Sequence, residues 1–180
     1  MLRVLIADDQ ELVRTGLAMI LGAQAGIEVV AQVSDGRAAV EQARRLRPDV
    51  CLFDIRMPDL NGIEATRLLA GPGVAEPMAV VVITTFDLDE YVHGALRAGA
   101  KGFLLKDAGP ELLVQAIHAA AQGDALIAPS VTARLLAAFA DTAPNEVRRP
   151  SEPLTAREEE VLRTVARGRT NAEIAAELYI

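Results

Sequence analysis

The stretch VCLFDIRMPDLNG, residues 50–62, decides the fold of this chain. It opens with four apolar residues, reaches Asp54 and then passes into a segment rich in turn-forming residues. A short apolar run bounded in this way is typical of a strand buried on both faces of a parallel sheet. Three similar runs also end in polar groups: 2–7 before Asp8 and Asp9, 79–83 before Thr84, and 102–105 before Lys106.

Helical patterns alternate with the strands. They are predicted over roughly residues 10–22, 36–46, 62–70, 88–98 and 110–121. Such alternation predicts an α/β protein with right-handed crossovers and a doubly wound sheet of five parallel strands. The expected strand order is the flavodoxin-like 2-1-3-4-5, with its ligand site beyond the carboxyl ends of strands 1 and 3. Asp8, Asp9 and Asp54 are predicted to meet there.

Composition narrows the class of protein. The chain of 180 residues is 51% hydrophobic but only 3% aromatic, so its core is expected to consist of aliphatic residues. A net charge of −7 does not indicate nucleic-acid binding by this segment as it stands. The single Cys51 excludes an internal disulfide. No apolar run reaches the ~20 residues of a membrane span, and no leader pattern precedes the first strand. We therefore expect a cytoplasmic protein without a membrane partner.

The polar groups at the strand ends predict phosphoryl chemistry. A carboxylate such as Asp54 is ionised at neutral pH and needs no general base to accept a phosphoryl group. Mg²⁺ would offset its repulsion from the donor, with Asp9 and Asp54 as ligands and Asp8 binding directly or through water. Lys106 offers a cation, and Thr84 a hydroxyl, to the phosphoryl oxygens.

These residues, together with the segment 54–62 and the sequence FLLK at 103–106, resemble the receiver domain of bacterial response regulators. The resemblance covers residues 1–122 and implies a CheY-like fold and Mg²⁺-dependent phosphorylation of Asp54 by a sensor histidine kinase. It implies that the backbone carbonyl of Arg56 is a further metal ligand. It also implies a switch in which Thr84 moves and Phe103 changes rotamer. The only chemistry implied is phosphorylation and autodephosphorylation of the chain's own aspartate, so the protein is not expected to be an enzyme in the ordinary sense.

The C-terminal part has a different pattern. A helix is predicted near residues 129–140, and the proline-rich stretch 141–153 reads as linker. Thr155 with Glu158 and Thr170 with Glu173 form capping boxes at the starts of two short helices. Residues 154–162 and 168–178 resemble the start of a LuxR-type DNA-binding domain of the NarL/FixJ subgroup. We therefore predict a receiver over 1–122, a linker over 123–152 and a partial helix-turn-helix domain over 153–180.

The resemblance implies a transcription regulator that forms a homodimer on activation and binds DNA through the full-length effector domain. The recognition helix of that domain is expected to lie beyond Ile180, so this chain is not expected to shift specific DNA at physiological salt. The dimer contact is expected on helices 4 and 5 or on helices 1 and 5, and the sequence does not choose between them.

Several alternatives stay open at this stage. Asp9 fits an N-cap of the first helix, Phe103 fits a core aromatic, and Arg56 and Phe86 either shield the acyl phosphate or only cover the rim of the site. A phosphatase of the haloacid dehalogenase class also uses an aspartate and Mg²⁺, but it places its two aspartates two residues apart after the first strand. A receiver that acts through protein–protein contact alone is the other competitor.

Overall fold

The computed structural model describes residues 1–85, 89–141 and 155–166, together with Ala175 and Leu178. The strands are β1 Leu2–Ala7, β2 Ile27–Val33, β3 Val50–Asp54, β4 Ala79–Thr84, β5 Gly102–Leu105 and β6 Leu126–Ile127. The helices are α1 Glu11–Gly22, α2 Gly36–Leu46, α3 Gly62–Ala70, α4 Asp89–Arg97, α5 Pro110–Ala121, α6 Pro129–Asp141 and α7 Ala156–Ala166. The five predicted helices of the first part and the helix near 129–140 are confirmed.

The strands form one parallel sheet with the order β2-β1-β3-β4-β5-β6. The predicted flavodoxin-like order is confirmed for the first five strands, whereas the prediction of only five strands is wrong. Strand β6 is two residues long, and it joins the edge through the Leu126 N–H, which donates to the Lys101 carbonyl at 2.9 Å. A run of two residues is too short to show the alternation from which a strand is recognised.

The core is mainly aliphatic, as the composition predicts, and it also contains Phe53 and Phe103. Strand β3 is buried along its whole length because helices cover both faces of the central sheet. Helices α2, α3 and α4 pack side by side on one face, and the right-handed crossover rule places α1 and α5 on the other. Cys51 lies inside β3, where burial raises the pKa of its thiol to about 12, so it packs as an inert apolar residue.

Two compact units divide the described chain, Met1–Ala138 and Phe139–Ile180. Ala128 and Val131 are buried in the core of the first unit, so this unit continues past the fifth helix. The predicted boundaries at residues 122 and 152 stay predictions. In the second unit, Thr155 Oγ1 accepts from the Glu158 N–H at 3.3 Å, and the Glu158 carboxylate accepts from the Thr155 N–H at 2.8 Å. The first predicted capping box is thus confirmed, and the second, at residues 170–173, lies outside the described residues.

Candidate functional site

The carboxyl ends of four neighbouring strands meet at one edge of the sheet. In the register of the sheet, Ala7 lies beside Phe53, Asp54 beside Ile83, and Thr84 beside Leu105. The residues that follow or end these strands therefore come to the same height on the same edge. They are Asp8, Asp54, Thr84 and Lys106, four of the five side chains that the sequence predicted there; the fifth, Asp9, follows Asp8 directly.

Three carboxylates converge at this edge, and we refer to Asp8, Asp9 and Asp54 as the acidic cluster. One oxygen from each lies within 4.8 Å of the other two. Asp8 and Asp54 are buried, whereas Asp9 is exposed. Carboxylates held this close repel one another unless cations offset their charge.

Lys106 supplies one such cation from the end of β5. Its Nζ lies 2.7 Å from Asp8 Oδ2 and donates a hydrogen bond to Asp54 Oδ2 at 2.9 Å. Only 8% of the Lys106 side chain is exposed. Burial opposes its charge, but the contacts with Asp8 and Asp54 outweigh burial and raise the pKa of Lys106. The ammonium therefore stays protonated at neutral pH and bridges β1 and β3.

Asp54 is oriented at both of its oxygens. Oδ1 accepts from the backbone N–H of Ile55 at 2.7 Å, and Oδ2 accepts from Lys106. Burial raises the pKa of Asp54, while Lys106 acts in the opposite direction. The fold therefore buries this carboxylate in the cluster, where its charged form loses solvation. Such a site favours a further cation, because a cation stabilises the charged form.

The donor set suits a divalent cation. The acidic cluster carries three negative charges and Lys106 one positive charge, which leaves two negative charges for a cation of charge +2 to balance. Lys106 approaches Asp8 Oδ2 closely, yet among the described residues this oxygen has no well-directed hydrogen-bond donor and keeps a lone pair available. Mg²⁺ prefers carboxylate oxygens of this kind and retains water in its remaining positions.

Gly62 allows the start of α3 to pack against the backbone of Asp54. A Cβ atom on Gly62 would lie 1.9 Å from the Asp54 carbonyl oxygen, far inside van der Waals contact. The Gly62 N–H donates to the Ile55 carbonyl at 2.9 Å and closes the loop that carries Arg56. Helix α3 then begins with a capping box between Asn61 and Glu64. Local packing thus fixes the backbone directly after Asp54.

The roles predicted for the remaining site residues stay predictions. Thr84 is fully buried at the end of β4, next to the cluster in the sheet. Phe103 is fully buried within β5, a position that suits both a switch residue and a plain core aromatic. Arg56 is exposed in the loop after β3, and Phe86 lies outside the described residues.

Sequence reasoning missed three residues around the site. The N-cap of α1 is Gln10, so the reading of Asp9 as an N-cap is wrong. Asp8 Oδ1 accepts from the Gln10 N–H at 2.9 Å, and the Asp8 carbonyl accepts from Arg14 Nη1 at 2.6 Å. Tyr91 of α4 accepts a long hydrogen bond of 3.4 Å from Arg56. Arg14 lies one helical turn after Gln10, but its partner is a backbone carbonyl, which the sequence does not mark.

A cleft of about 510 Å³ opens from the acidic cluster toward α4. Asp9, Arg56 and Tyr91 are among the residues that line it. The lining is mainly apolar and includes Met57 and Ile63. The cleft gives a small molecule access to the exposed member of the cluster.

Comparison with protein families assigns both parts of the chain. Residues 4–118 match the response regulator receiver domain, and residues 152–180 match the bacterial regulatory proteins of the luxR family. None of the helices among the described residues has the length and apolar character that crossing a membrane requires.

Curated relatives match along nearly the whole chain. The transcriptional regulatory protein LiaR of Bacillus subtilis is 40% identical over 180 residues, which are 100% of this chain and 83% of the relative. The uncharacterized transcriptional regulatory protein YxjL of the same organism is 40% identical over 182 residues, with 99% and 82% covered. The oxygen regulatory protein NreC of Staphylococcus aureus is 36% identical over 183 residues, with 99% and 83% covered.

Solved structures agree with the sequence relatives. The response regulator ChrA of a heme-sensing two-component system is 36% identical with a TM-score of 0.63, covering 99% of this chain and 82% of that chain. The receiver domain of the putative response regulator NarL from Mycobacterium tuberculosis is 35% identical with a TM-score of 0.64, covering 68% and 97%. A structure of two RcsB dimers on two parallel DNAs is 26% identical with a TM-score of 0.66, covering 99% and 83%.

Proposed function

This chain belongs to the response regulators that join a receiver domain to a LuxR-type helix-turn-helix domain, and on this premise we propose that Asp54 accepts a phosphoryl group from a sensor histidine kinase. The observation that carries the proposal is the convergence of the acidic cluster and Lys106 at one edge of the sheet. Membership of this family sets aside a phosphatase of the haloacid dehalogenase class.

Asp54 is the proposed acceptor because it is the buried carboxylate at the end of β3 whose two oxygens are both oriented. The Ile55 N–H holds Oδ1 and Lys106 holds Oδ2. An oriented carboxylate reaches the attacking geometry without a further search of its rotamers. The proposed reaction modifies the chain's own aspartate, which is later dephosphorylated, and no other substrate is turned over.

Asp8, Asp9 and Asp54 are the proposed side-chain ligands of Mg²⁺, with the Arg56 carbonyl as a further ligand. When bound, Mg²⁺ would neutralise charge on the cluster and on the incoming phosphoryl group. Lys106 then has two tasks: it offsets the carboxylates before transfer, and it pairs with a phosphoryl oxygen afterwards. Its position within 2.9 Å of Asp54 supports both.

Thr84 and Phe103 are the proposed switch residues. Thr84 ends the strand next to β3, from which a hydroxyl can reach a group built on Asp54. Its movement would leave space for Phe103 to change rotamer and so alter the surface formed by α4, β5 and α5. A phosphoryl group that stabilises one of two packings shifts their populations in this way.

The output is proposed to be homodimerisation and transcription control through DNA binding by the effector domain. We assign residues 1–122 to the receiver, 123–152 to the linker and 153–180 to the effector domain. The related RcsB forms dimers on DNA, and this likeness supports the proposed dimerisation and DNA binding. A receiver that acts only through protein–protein contact is the alternative, and it predicts no DNA response to phosphorylation.

Intact mass spectrometry after incubation with Mg²⁺ and acetyl phosphate tests the acceptor. We expect the wild-type chain to gain one phosphoryl group, and we expect chelation of the metal to prevent the gain. Asp54→Asn should abolish it, whereas Asp59→Asn, a matched change at an exposed aspartate five residues later, should leave it intact. A wild-type chain that gains no mass, or an Asp54→Asn chain that does, would contradict the proposal.

A further inference from the structure

We infer that Arg14 is a positioning residue that aims Asp8 and Asp9 at the cation site, an inference that rests on the function proposed above. Arg14 lies in the second turn of α1, one turn after the N-cap Gln10. Side chains of a helix lean toward its N-terminus, so Arg14 reaches back to the turn that precedes α1. There Nη1 donates to the Asp8 carbonyl oxygen at 2.6 Å.

The turn between β1 and α1 lacks the usual means of fixing a helix start. Helix α2 has Asp35 as an N-cap that accepts from Ala38, and α3 has the capping box of Asn61. Helix α1 has Gln10 as its N-cap, and the Gln10 side chain makes no capping hydrogen bond. This turn carries two of the three carboxylates of the acidic cluster, so a restraint on its backbone bears directly on the cluster.

The bond from Arg14 falls on the peptide group that links Asp8 to Asp9. Because a peptide group is planar, holding its carbonyl oxygen also sets the direction in which the chain enters Asp9. Asp8 is also held by other contacts, since its N–H donates to Val33 O at 3.1 Å, its Oδ1 accepts from Gln10 N–H at 2.9 Å and its Oδ2 lies 2.7 Å from Lys106 Nζ. Asp9 is exposed, and its placement depends most on the backbone that Arg14 holds.

Arg14 can affect the binding of a cation to the acidic cluster in two opposite ways. As a positive charge near three carboxylates, it would weaken binding of a second cation through Coulomb repulsion. As a restraint on the turn, it would strengthen binding by holding the ligands in place before the metal arrives. Removal of Arg14 therefore changes the Mg²⁺ dissociation constant in opposite directions in the two cases, and the sign identifies its role.

Calorimetric titration of Mg²⁺ into the full chain, without a phosphodonor, tests the inference. Arg14→Met keeps the aliphatic stem and removes the donor and the charge. We expect its dissociation constant to rise about tenfold, the lower end of what loss of a group behind a metal ligand costs. Arg14→Lys, which keeps a donor and the charge, should recover part of the affinity. Arg44→Met, the same change at an exposed position of α2, should bind as the wild type does.

A purely structural role predicts a lower unfolding temperature without a specific loss of metal affinity. We expect the folded fraction of Arg14→Met at the assay temperature to equal that of the wild type, and saturating Mg²⁺ to restore its rate of phosphorylation by acetyl phosphate. Unchanged or tighter Mg²⁺ binding by Arg14→Met overturns this inference and leaves the proposed metal site standing. A wild-type chain that binds no Mg²⁺ overturns the proposed metal site and the inference with it. If Arg14→Met does not fold, Arg14→Gln takes its place with the same expected loss.

Discussion

The two ends of the sheet carry ion pairs of opposite character. At the amino ends of the strands, Arg47 pairs with Glu76, and both side chains are more than half exposed. At the carboxyl ends, Lys106 bridges Asp8 and Asp54, all of them less than a tenth exposed. Exposed pairs exchange water for a partner at little net gain, whereas buried charges depend on their partners. The same kind of ion pair therefore links two surface segments at one end and builds a buried charged cluster at the other.

Removing Lys106 should have the largest effect and should show most clearly how the ion pairs at the two ends of the sheet differ. Lys106→Met leaves Asp8 and Asp54 buried beside each other without a cation, and we expect the free energy of unfolding to fall by about 3 kcal/mol. Because the pKa of Lys106 is raised in the folded state, its contribution to the free energy of unfolding is fully present below its ordinary pKa. That contribution is lost only as pH rises through the higher pKa of the folded state. Urea denaturation at pH 7 without Mg²⁺ measures the loss.

Lys101→Met is the matched control, because Lys101 is exposed just before β5. Its expected effect is within about 0.5 kcal/mol. Added Mg²⁺ should restore part of the stability of Lys106→Met, since a ligand that binds only the folded state stabilises it. Equal losses in the two variants would mean that burial does not distinguish the cluster from the surface.

Gly62→Ala tests whether packing holds Asp54 in place. The added Cβ would overlap the Asp54 carbonyl, so we expect a loss of about 2 kcal/mol together with slower phosphorylation. Gly16→Ala in α1 is the control, because no atom lies within 4 Å of its added Cβ. That change should stabilise the chain by about 0.5 kcal/mol through helix propensity. Denaturation curves and acetyl phosphate kinetics of both variants measure the difference, and similar behaviour would count against the packing argument.

The charge of Asp54 should cost stability when no metal is present. Its pKa is raised by burial, so the folded state binds a proton more readily than the unfolded chain. The stability that the protonated Asp54 contributes is present at low pH, and it is lost as pH rises through the pKa of Asp54 in the folded state. Asp54→Asn should therefore be more stable than the wild type at pH 7, and the gain should shrink as pH falls toward the ordinary value of 3.8.

Mg²⁺ should reverse this order by stabilising the wild type more than Asp54→Asn. At a hundredfold excess over the dissociation constant, a ligand adds about 2.7 kcal/mol. Urea denaturation across pH, with and without Mg²⁺, shows both effects. A variant that is less stable than the wild type at pH 7 without metal would argue against burial as the dominant influence on Asp54.

Glu76→Gln should have the smallest effect. It breaks the exposed pair with Arg47 while keeping the side chain's size, and we expect a change of less than about 1 kcal/mol that vanishes at 1 M salt. Phosphorylation of Asp54 should be unaffected. Denaturation at two salt concentrations checks the first point and intact mass the second. A large, salt-insensitive loss would remove the contrast between the two ends.

Much of the site could be predicted because its residues stand at the ends of apolar runs. Asp54 and Lys106 are 52 residues apart in the chain, yet the rule for parallel strands places both at one edge. Strand β6 was missed because its pairing with β5, and not its two residues, makes it a strand. Arg14 was missed because its partner is a backbone carbonyl, which no side-chain motif reveals.

The sequence by itself determined the order of the first five strands and the helices between them, because periodicity is a property of the chain alone. The residues at the strand ends also carry the resemblance to the family. Tertiary structure decided which groups are buried together and which are exposed. Asp8 and Asp9 are adjacent aspartates, yet one is fully buried against Lys106 and the other faces solvent. That difference follows from the path of the backbone through the turn before α1, where the Gln10 N–H donates to Asp8 Oδ1 and Arg14 donates to the Asp8 carbonyl.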